Sequence, residues 1–408
     1  MSTLNNVEIN KLSGGLGRRM PEQDMVSGLL FNGVETDKLK HDTLYRLASV
    51  EDAITLGITE NYDKDGQSAF YQIDQFFRMN TSGDLFIMVV SNTEIKKTNN
   101  VDSSFTRTYA DVVKKAKFMQ EKTNGAIRQM AIIFNKVSTS FSETELAIDE
   151  AQVQANQCFK DFMPLEIILE GKGFNVNTED LSKLTDLSTK KAENVTLVVA
   201  MDLEKGQEYN YSNTAAVGVF LGAVSKAKVS ENVAWIEKFN LTGKGFAKAG
   251  FVGGKVNRTQ GDLNTLNEKR YVFAKTHTGL AGIYFNDSHT CTKSTDDYAY
   301  IENNRTINKA TRLLRTALLP KLASPVLVDI DGKLPQSVSK SFEGLCRAAL
   351  EGMLANQEIS AFDVYVDPKQ NILATSELKV KAEVIPVGTA RKIKVDLGFK
   401  NPFGIDKA

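Results

Sequence analysis

Four short runs, Leu85–Val90, Met130–Phe134, Leu165–Leu169 and Thr196–Met201, are apolar at nearly every position, and stretches with helical spacing separate them. A strand with one face in water alternates polar and apolar residues, so runs without alternation belong in a sheet covered on both faces. Interleaved with helices, such strands are the signature of a parallel sheet. The sequence therefore predicts a doubly wound, mostly parallel α/β domain over residues 25–228. Met25–Phe31 reads as its first core strand and 43–56 as a short helical region. The stretch 67–80 reads as a helix with Ala69, Phe70, Ile73, Phe76 and Phe77 on one buried stripe. Further helices are expected near 106–123, 143–160 and 179–186.

Charge and cysteine content narrow the partners. Fifty basic residues offset fifty acidic ones among 408, so no global field draws the chain to nucleic acid or to an anionic membrane. The longest apolar run, Ala215–Val224, is half the roughly 20 residues that span a bilayer. No charged segment followed by an apolar one opens the sequence, so the expectation is a protein made in the cytoplasm without membrane insertion. Cys158, Cys291 and Cys346 lie far apart and form no CxxC, which predicts buried, reduced thiols. Beyond Val224 the texture loosens into glycines, Trp235 and β-like runs at 270–274 and 280–285, read as a β-rich connecting region over 229–296.

Residues 297–408 read as a separate α+β module. A helix begins near Asn304 with Ile307, Ala310, Leu314, Ala317 and Leu318 on one face, and Pro320 stops it. On the other face Arg305, Lys309, Arg312 and Arg315 recur at helical spacing and form a basic ridge, suited either to solvent or to a protein contact. A second helix over 339–356 turns Phe342, Leu345, Cys346, Ala349, Leu350 and Met353 inward, and Phe362–Val366 reads as a strand. Leu378, Val380, Ala382 and Val384 alternate with charges, as do Ile393, Val395, Leu397 and Phe399. A turn at 386–389 is expected to join these two strands as a hairpin. A terminal strand with a clean apolar face leaves an edge that must be covered or paired with another chain. At the other end, residues 1–24 read as an extended arm: Val7 and Ile9 alternate with polar residues, and Gly14, Gly15 and Gly17 supply a hinge.

Sequence signals for chemistry are weak. Gly14–Gly17 precedes Pro21, Gly171-Lys172-Gly173 has no third glycine, and Gly250–Lys255 has the wrong spacing for a phosphate loop. Residues 61–67 match the first half of a calcium loop, but Ser68 and Gln72 stand where an apolar residue and a bidentate glutamate belong. A turn with Asp65 near a helix N-cap explains the same residues. There is no GxSxG, His41 stands alone, and His277, His289 and Cys291 fit no known zinc spacing. No catalytic, cofactor-binding or metal-binding residue is assigned, and no cofactor. The alternative is a soluble α/β enzyme or ligand-binding protein with a small C-terminal domain, its ligand at the carboxyl ends of the 85–90 or 196–201 strands beside Asp202.

The order of parts resembles the contractile sheath proteins of phage tails and injection systems, in particular a divergent Bacteroidetes-type phage and prophage family. The likeness is sharpest at Tyr298–Ile307, similar to the strand-then-Arg entry into the long helix of sheath C-terminal domains, and at Ile372–Phe399, similar to their closing strands. The resemblance implies a structural subunit and not an enzyme, one that polymerises helically around an inner tube. It implies that Val7 and Ile9 at one end, and Ile393, Val395 and Leu397 at the other, pair with neighbouring subunits. Gly14, Gly15 and Gly17 would then be the hinge, and Arg305, Lys309, Arg312 and Arg315 would face a neighbour or the tube. The implied partners are further copies of the chain, the inner tube protein, and baseplate and tail terminator proteins, in a particle assembled in the bacterial cytoplasm. A non-contractile structural or adaptor protein shares the arms but predicts rings or dimers.

Overall fold

The structure is a computed structural model that describes residues 24–64, 66–98, 101–136, 139–175, 181–253 and 260–400. They form two compact units, divided between Asn308 and Lys309. The expected arm residues Val7, Ile9, Gly14, Gly15 and Gly17 lie outside the described residues.

The first unit opens with β1 (Val26–Gly33), β2 (Leu44–Leu47), α1 (Val50–Thr55), α2 (Ala69–Met79) and β3 (Asp84–Ser91). The hairpin β4 (Thr93–Thr98) and β5 (Val101–Thr106) follows, then α3 (Tyr109–Val113), α4 (Ala116–Lys122), β6 (Gln129–Ile133), α5 (Phe141–Lys160) and β7 (Glu166–Glu170). Next come β8 (Val195–Val198), β9 (Ala200–Asp202), α6 (Val217–Lys226), β10 (Ala249–Phe251), α7 (Gln260–Glu268), β11 (Ala274–His277) and β12 (Leu280–Phe285). One sheet of six strands, in the order β2-β3-β1-β6-β7-β8, organises the unit. It is parallel except for β2 against β3. The apolar runs supply β3, β6, β7 and the outermost strand β8, and every residue of β1, β6, β7 and β8 is buried.

Several expectations are corrected. Residues 43–56 are a strand followed by a helix, because the Asp52 carboxylate accepts the Ser49 N–H (3.1 Å) and starts α1 where β2 ends. The 196–201 run is split at Val199, whose N–H bonds to Val272 O and whose carbonyl takes Val252 N–H. Beyond that point β9 leaves the large sheet to pair with β10. Near 179–186 the described residues hold only a 3-10 turn at Leu181–Lys183. Residues 229–296, expected to connect two domains, contribute Phe239, Phe246, Val272, Phe273 and Phe285 to the same hydrophobic core as the sheet.

The apolar run 215–224 forms α6, packed against α2 closely enough that a Cβ on Gly218 would lie 2.1 Å from Gln72 O. No side chain of α6's own caps it, and Gln72 replaces one. Its Oε1 accepts Gly218 N–H (2.7 Å) and its Nε2 donates to Ala215 O (2.7 Å).

A long helix, α8 (Ile301–Leu318), begins in the first unit and ends in the second. The second unit continues with α9 (Gln336–Ala355), β13 (Ile359–Tyr365), α10 (Ile372–Thr375) and β14 (Lys381–Pro386). Ala310, Cys346, Leu350, Met353, Ile359 and Val364 form its core, and Pro320 falls in the 3-10 turn that ends α8.

Candidate assembly surface

The alternation around 378–384 works as expected: Val380, Ala382 and Val384 pack against the core of the second unit while Lys381 and Glu383 face out. The expected hairpin with the terminal segment does not form. β14 pairs instead with β13, with Val364 opposite Ala382. The β13 strand leaves α9 already packed on that helix, so it reaches β14 across a longer connection than the turn at 386–389. Residues 387–400 follow without a strand partner among the described residues, and Ile393 (80%), Val395 (77%), Leu397 (94%) and Phe399 (111%) are exposed. Four alternate apolar side chains are thus left in water.

The basic row divides in two. Arg305 is buried and donates to the carbonyls of Ala227 (3.2 Å), Lys228 (3.3 Å) and Asp24 (3.2 Å). Lys309 is buried and paired with Glu358 at 2.8 Å. Only Arg312 and Arg315 are half-buried, so the spacing does not produce a continuous exposed ridge.

Around Arg305 the first turns of α8 are held by other buried polar groups. Glu166 accepts hydrogen bonds from Asn194 (2.9 Å), Asn304 (3.3 Å) and Asn308 (2.9 Å). Asn232 reaches both Asp287 (2.6 Å) and Glu302 (2.9 Å). Burial pushes the Glu166 carboxyl up from 4.5 to about 7, against the lowering effect of its three amide donors. A folded-state pKa above the unfolded value gives stability that is complete below pH 4.5 and is lost as pH rises to about 7. Wild-type protein is expected to lose on the order of 2–3 kcal/mol across that window from this group. Glu166→Gln should flatten that part of the profile in urea titrations at pH 5 to 7.5; an unchanged slope would remove Glu166 from the account.

At the carboxyl ends of the strands, where an α/β enzyme holds its ligand, polar side chains bond to the fold itself. The chain leaves β1 first for β3 and then for β6 on the other side, so the carboxyl ends of β1 and β6 flank the usual crevice. There Asn32 and Asn135 lock together: Asn135 N donates to Asn32 Oδ1 (2.8 Å) and Asn135 Nδ2 to Asn32 O (2.7 Å). Asn135 Oδ1 also accepts Ser68 N–H (3.0 Å) at the entrance to α2. One strand further, the buried Glu170 accepts Phe134 N–H (3.3 Å) and Ala215 N–H (3.1 Å) and lies 3.4 Å from the equally buried Lys172, while burial raises its pKa. Asp202 is buried and accepts the backbone N–H of Glu204 (3.3 Å) and Lys248 (2.9 Å). These groups hold hydrogen bonds within the fold.

The other chemical candidates also have structural partners. In the calcium-like loop it is Asp63 whose carboxylate accepts Phe70 N–H (2.9 Å), Tyr71 N–H (2.7 Å) and the Tyr211 hydroxyl (3.1 Å), while Asp65 lies outside the described residues. Burial holds the Asp63 carboxyl up at about 6. His289 Nε2 meets Asn267 Oδ1 at 2.9 Å and its ring lies against Tyr300. Burial pushes the Cys158 and Cys291 thiols up to about 12, so neither is a poised nucleophile. Among the described residues no three His, Cys, Asp or Glu side chains gather as a metal site. A shallow groove of about 260 Å³ lies in the second unit between residues 321–327 and α9, lined by Val326, Leu327, Val338, Phe342 and Leu345.

Comparison with known proteins places this geometry in context. Residues 4–289 match the family model described as "DUF2586, N-terminal domain" and residues 297–404 match "DUF2586, C-terminal domain". No protein of curated function matches the sequence. Among solved structures, the chain is similar to one from the anti-feeding prophage (AFP) helical sheath in the contracted state, at 12% identity and a TM-score of 0.60, covering 98% of this chain and 100% of that one. It is similar to the PVC sheath complex of an extracellular contractile injection system, also contracted, at 11% identity and a TM-score of 0.58, covering 98% of each chain. A chain of the contracted AFP baseplate gives 11% identity and a TM-score of 0.61, covering 98% of this chain and 100% of that one. At these identities the likeness establishes a shared fold from end to end.

Proposed function

The chain belongs to the DUF2586 family, carrying both of its domains in order, and from the fold it shares along its length we propose that it is the sheath subunit of a contractile tail or injection particle. It polymerises helically around an inner tube and contracts to drive that tube through a target envelope. The observation that carries this reading is the match over 98% of this chain and 100% of the AFP sheath chain, which leaves no large part of either fold without a counterpart. The chemistry agrees, because the buried polar groups at the carboxyl ends of the strands are held in internal hydrogen bonds, while Ile393, Val395, Leu397 and Phe399 are exposed.

In this account the sheet of the first unit is the doubly wound insertion domain, and assembly is by exchange of extended terminal strands. Ile393, Val395 and Leu397 enter a sheet of a neighbouring copy, where main-chain bonds supply affinity and alternating side chains fix register. Val7 and Ile9 do the same from the other end, and Gly14, Gly15 and Gly17 let the arm stay attached while the subunit body turns. A heterologous contact that does not close into a ring generates a helix, the geometry of a sheath. Arg312 and Arg315 are the members of the basic row offered to a neighbour or to the tube. Baseplate and tail terminator proteins complete the partners, in a particle assembled in the bacterial cytoplasm without nucleic acid. None of the helices among the described residues is long and apolar enough to cross a membrane.

Contraction is mechanical on this reading: the extended polymer is metastable, and rotation of the subunits into a more fully packed state supplies the work without a nucleotide. Deleting residues 1–20 is expected to leave a folded subunit that does not polymerise, measured by light scattering beside a thermal melt. Tubes formed by the shortened protein would refute the role of the arm.

A further inference from the structure

The chain enters the first unit through two residues that are gripped from inside. Met25 is 47% exposed and Asp24 is half-buried, and β1 begins only at Val26. Backbone carbonyls with solvent at hand need no side-chain partner. Here the Asp24 carbonyl accepts both Gln129 Nε2 (3.2 Å) and Arg305 Nη2 (3.2 Å). The Met25 carbonyl accepts the hydroxyls of Ser27 (3.1 Å) and Ser225 (2.8 Å). Ser225 is held in turn by Asn80 Nδ2 (3.0 Å). These donors come from β1, β6, α6 and α8, and all of them are buried.

Two of the donors are committed to this grip beyond what local folding asks. Gln129 aims its Nε2 at Asp24 O, Val26 O (3.3 Å) and Ser27 Oγ (2.9 Å), and its Oε1 is left buried with no hydrogen-bond partner among the described residues. An orphaned buried acceptor is destabilising, so the fold keeps this side chain for its N–H end alone. Arg305 reaches Asp24 from α8 with the same guanidinium that holds the Ala227 (3.2 Å) and Lys228 (3.3 Å) carbonyls, where α6 ends. It therefore ties the chain entry to two helices at once.

We propose that Gln129, Ser225 and Arg305 clamp the root of the N-terminal arm, so that tension applied through the arm by a second copy passes at Asp24 and Met25 into the body of the subunit. The proposal rests on the arm-exchange reading above and adds to it where the arm is anchored and which side chains carry the tension. Behind the clamp lies a strand well placed to receive it. β1 runs between β3 and β6, opposite eight residues of the first and five of the second. A pull along β1 loads these ladder bonds together and not one after another. A subunit that turns while its arm stays attached needs a fixed end on the body. With that end at residues 24 and 25, the turning falls before them, on the side of Gly14, Gly15 and Gly17.

The test applies force to single full-length molecules in an optical trap. One handle is attached at Asn5→Cys in the arm and the other at Gln157→Cys, an exposed position on α5. The control geometry joins Gln157→Cys to the exposed Glu268→Cys on α7 and bypasses the arm. The native cysteines are buried and do not compete for the handles. With Gln129→Met and Ser225→Ala together, unfolding at constant tension is expected to be about tenfold faster through the arm and less than about threefold faster in the control geometry. Equal acceleration in both geometries is what a merely structural role gives, and it would overturn the clamp while leaving the arm reading standing. If the double variant does not fold, Ser225→Ala alone should give about threefold through the arm and no change in the control; an unchanged lifetime through the arm would likewise overturn the clamp. Tubes formed by a chain lacking residues 1–20 would remove the arm reading, and the clamp's role with it, whatever the force measurement gives.

Discussion

Truncation after Ala390 is expected to give a subunit as stable as the full chain that no longer assembles. The side chains removed include Ile393, Val395, Leu397 and Phe399, all at least 77% exposed, so they contribute almost nothing to the core of the isolated subunit. Its unfolding free energy should stay within about 1 kcal/mol of wild type. In an assembly the same side chains are covered, and each buried apolar side chain of this size is worth about 1.5–3 kcal/mol before the cost of ordering the segment. Sedimentation velocity and a denaturant titration on the two proteins separate the effects. Tubes from the truncated chain would show that the tail is not an assembly strand, and a large loss of stability would show that it belongs to the subunit's own fold.

The second large effect lies in the first unit. Gly218→Val should destabilise the subunit by about 3 kcal/mol or more, because even the first added carbon would sit 2.1 Å from Gln72 O and 2.8 Å from Gln72 Cα, both backbone atoms of α2. Relief requires moving α6 off α2. That movement would break the two hydrogen bonds by which the Gln72 side chain caps α6. Gly344→Ala on the exposed side of α9, where an added Cβ meets nothing within 4 Å, is the matched control and should be neutral or slightly stabilising. Circular dichroism melts of the two variants check this, and a Gly218→Val protein as stable as wild type would mean that the helices are not packed this closely.

How much of this was legible in the sequence depended on where each residue's partner lies. The inner strands were readable because a strand buried on both faces has to be apolar along its length, whatever its neighbours are. The β4–β5 hairpin was not, since its strands carry Glu94, Lys96, Lys97 and Asp102 and offer no apolar period. The basic row shows the limit of helical spacing. It places Arg305, Lys309, Arg312 and Arg315 along one ridge, but only the tertiary fold reveals that the first two are turned into the protein. Glu166 passes in the sequence for a stray polar residue in an apolar strand, and its partners Asn194 and Asn308 lie 28 and 142 residues away. Asn32 and Asn135, which close the crevice between β1 and β6, are 103 residues apart. The alternation at 393–399 led to an expected hairpin strand that does not form, because an apolar face specifies that something must cover it and not what does.

The measurement that tests the central claim most directly is negative-stain electron microscopy of the purified full-length protein, concentrated over a range of salt. The account predicts long striated tubes of uniform diameter, built by a contact that repeats without closing. Monomers, dimers or closed rings under every condition would contradict it.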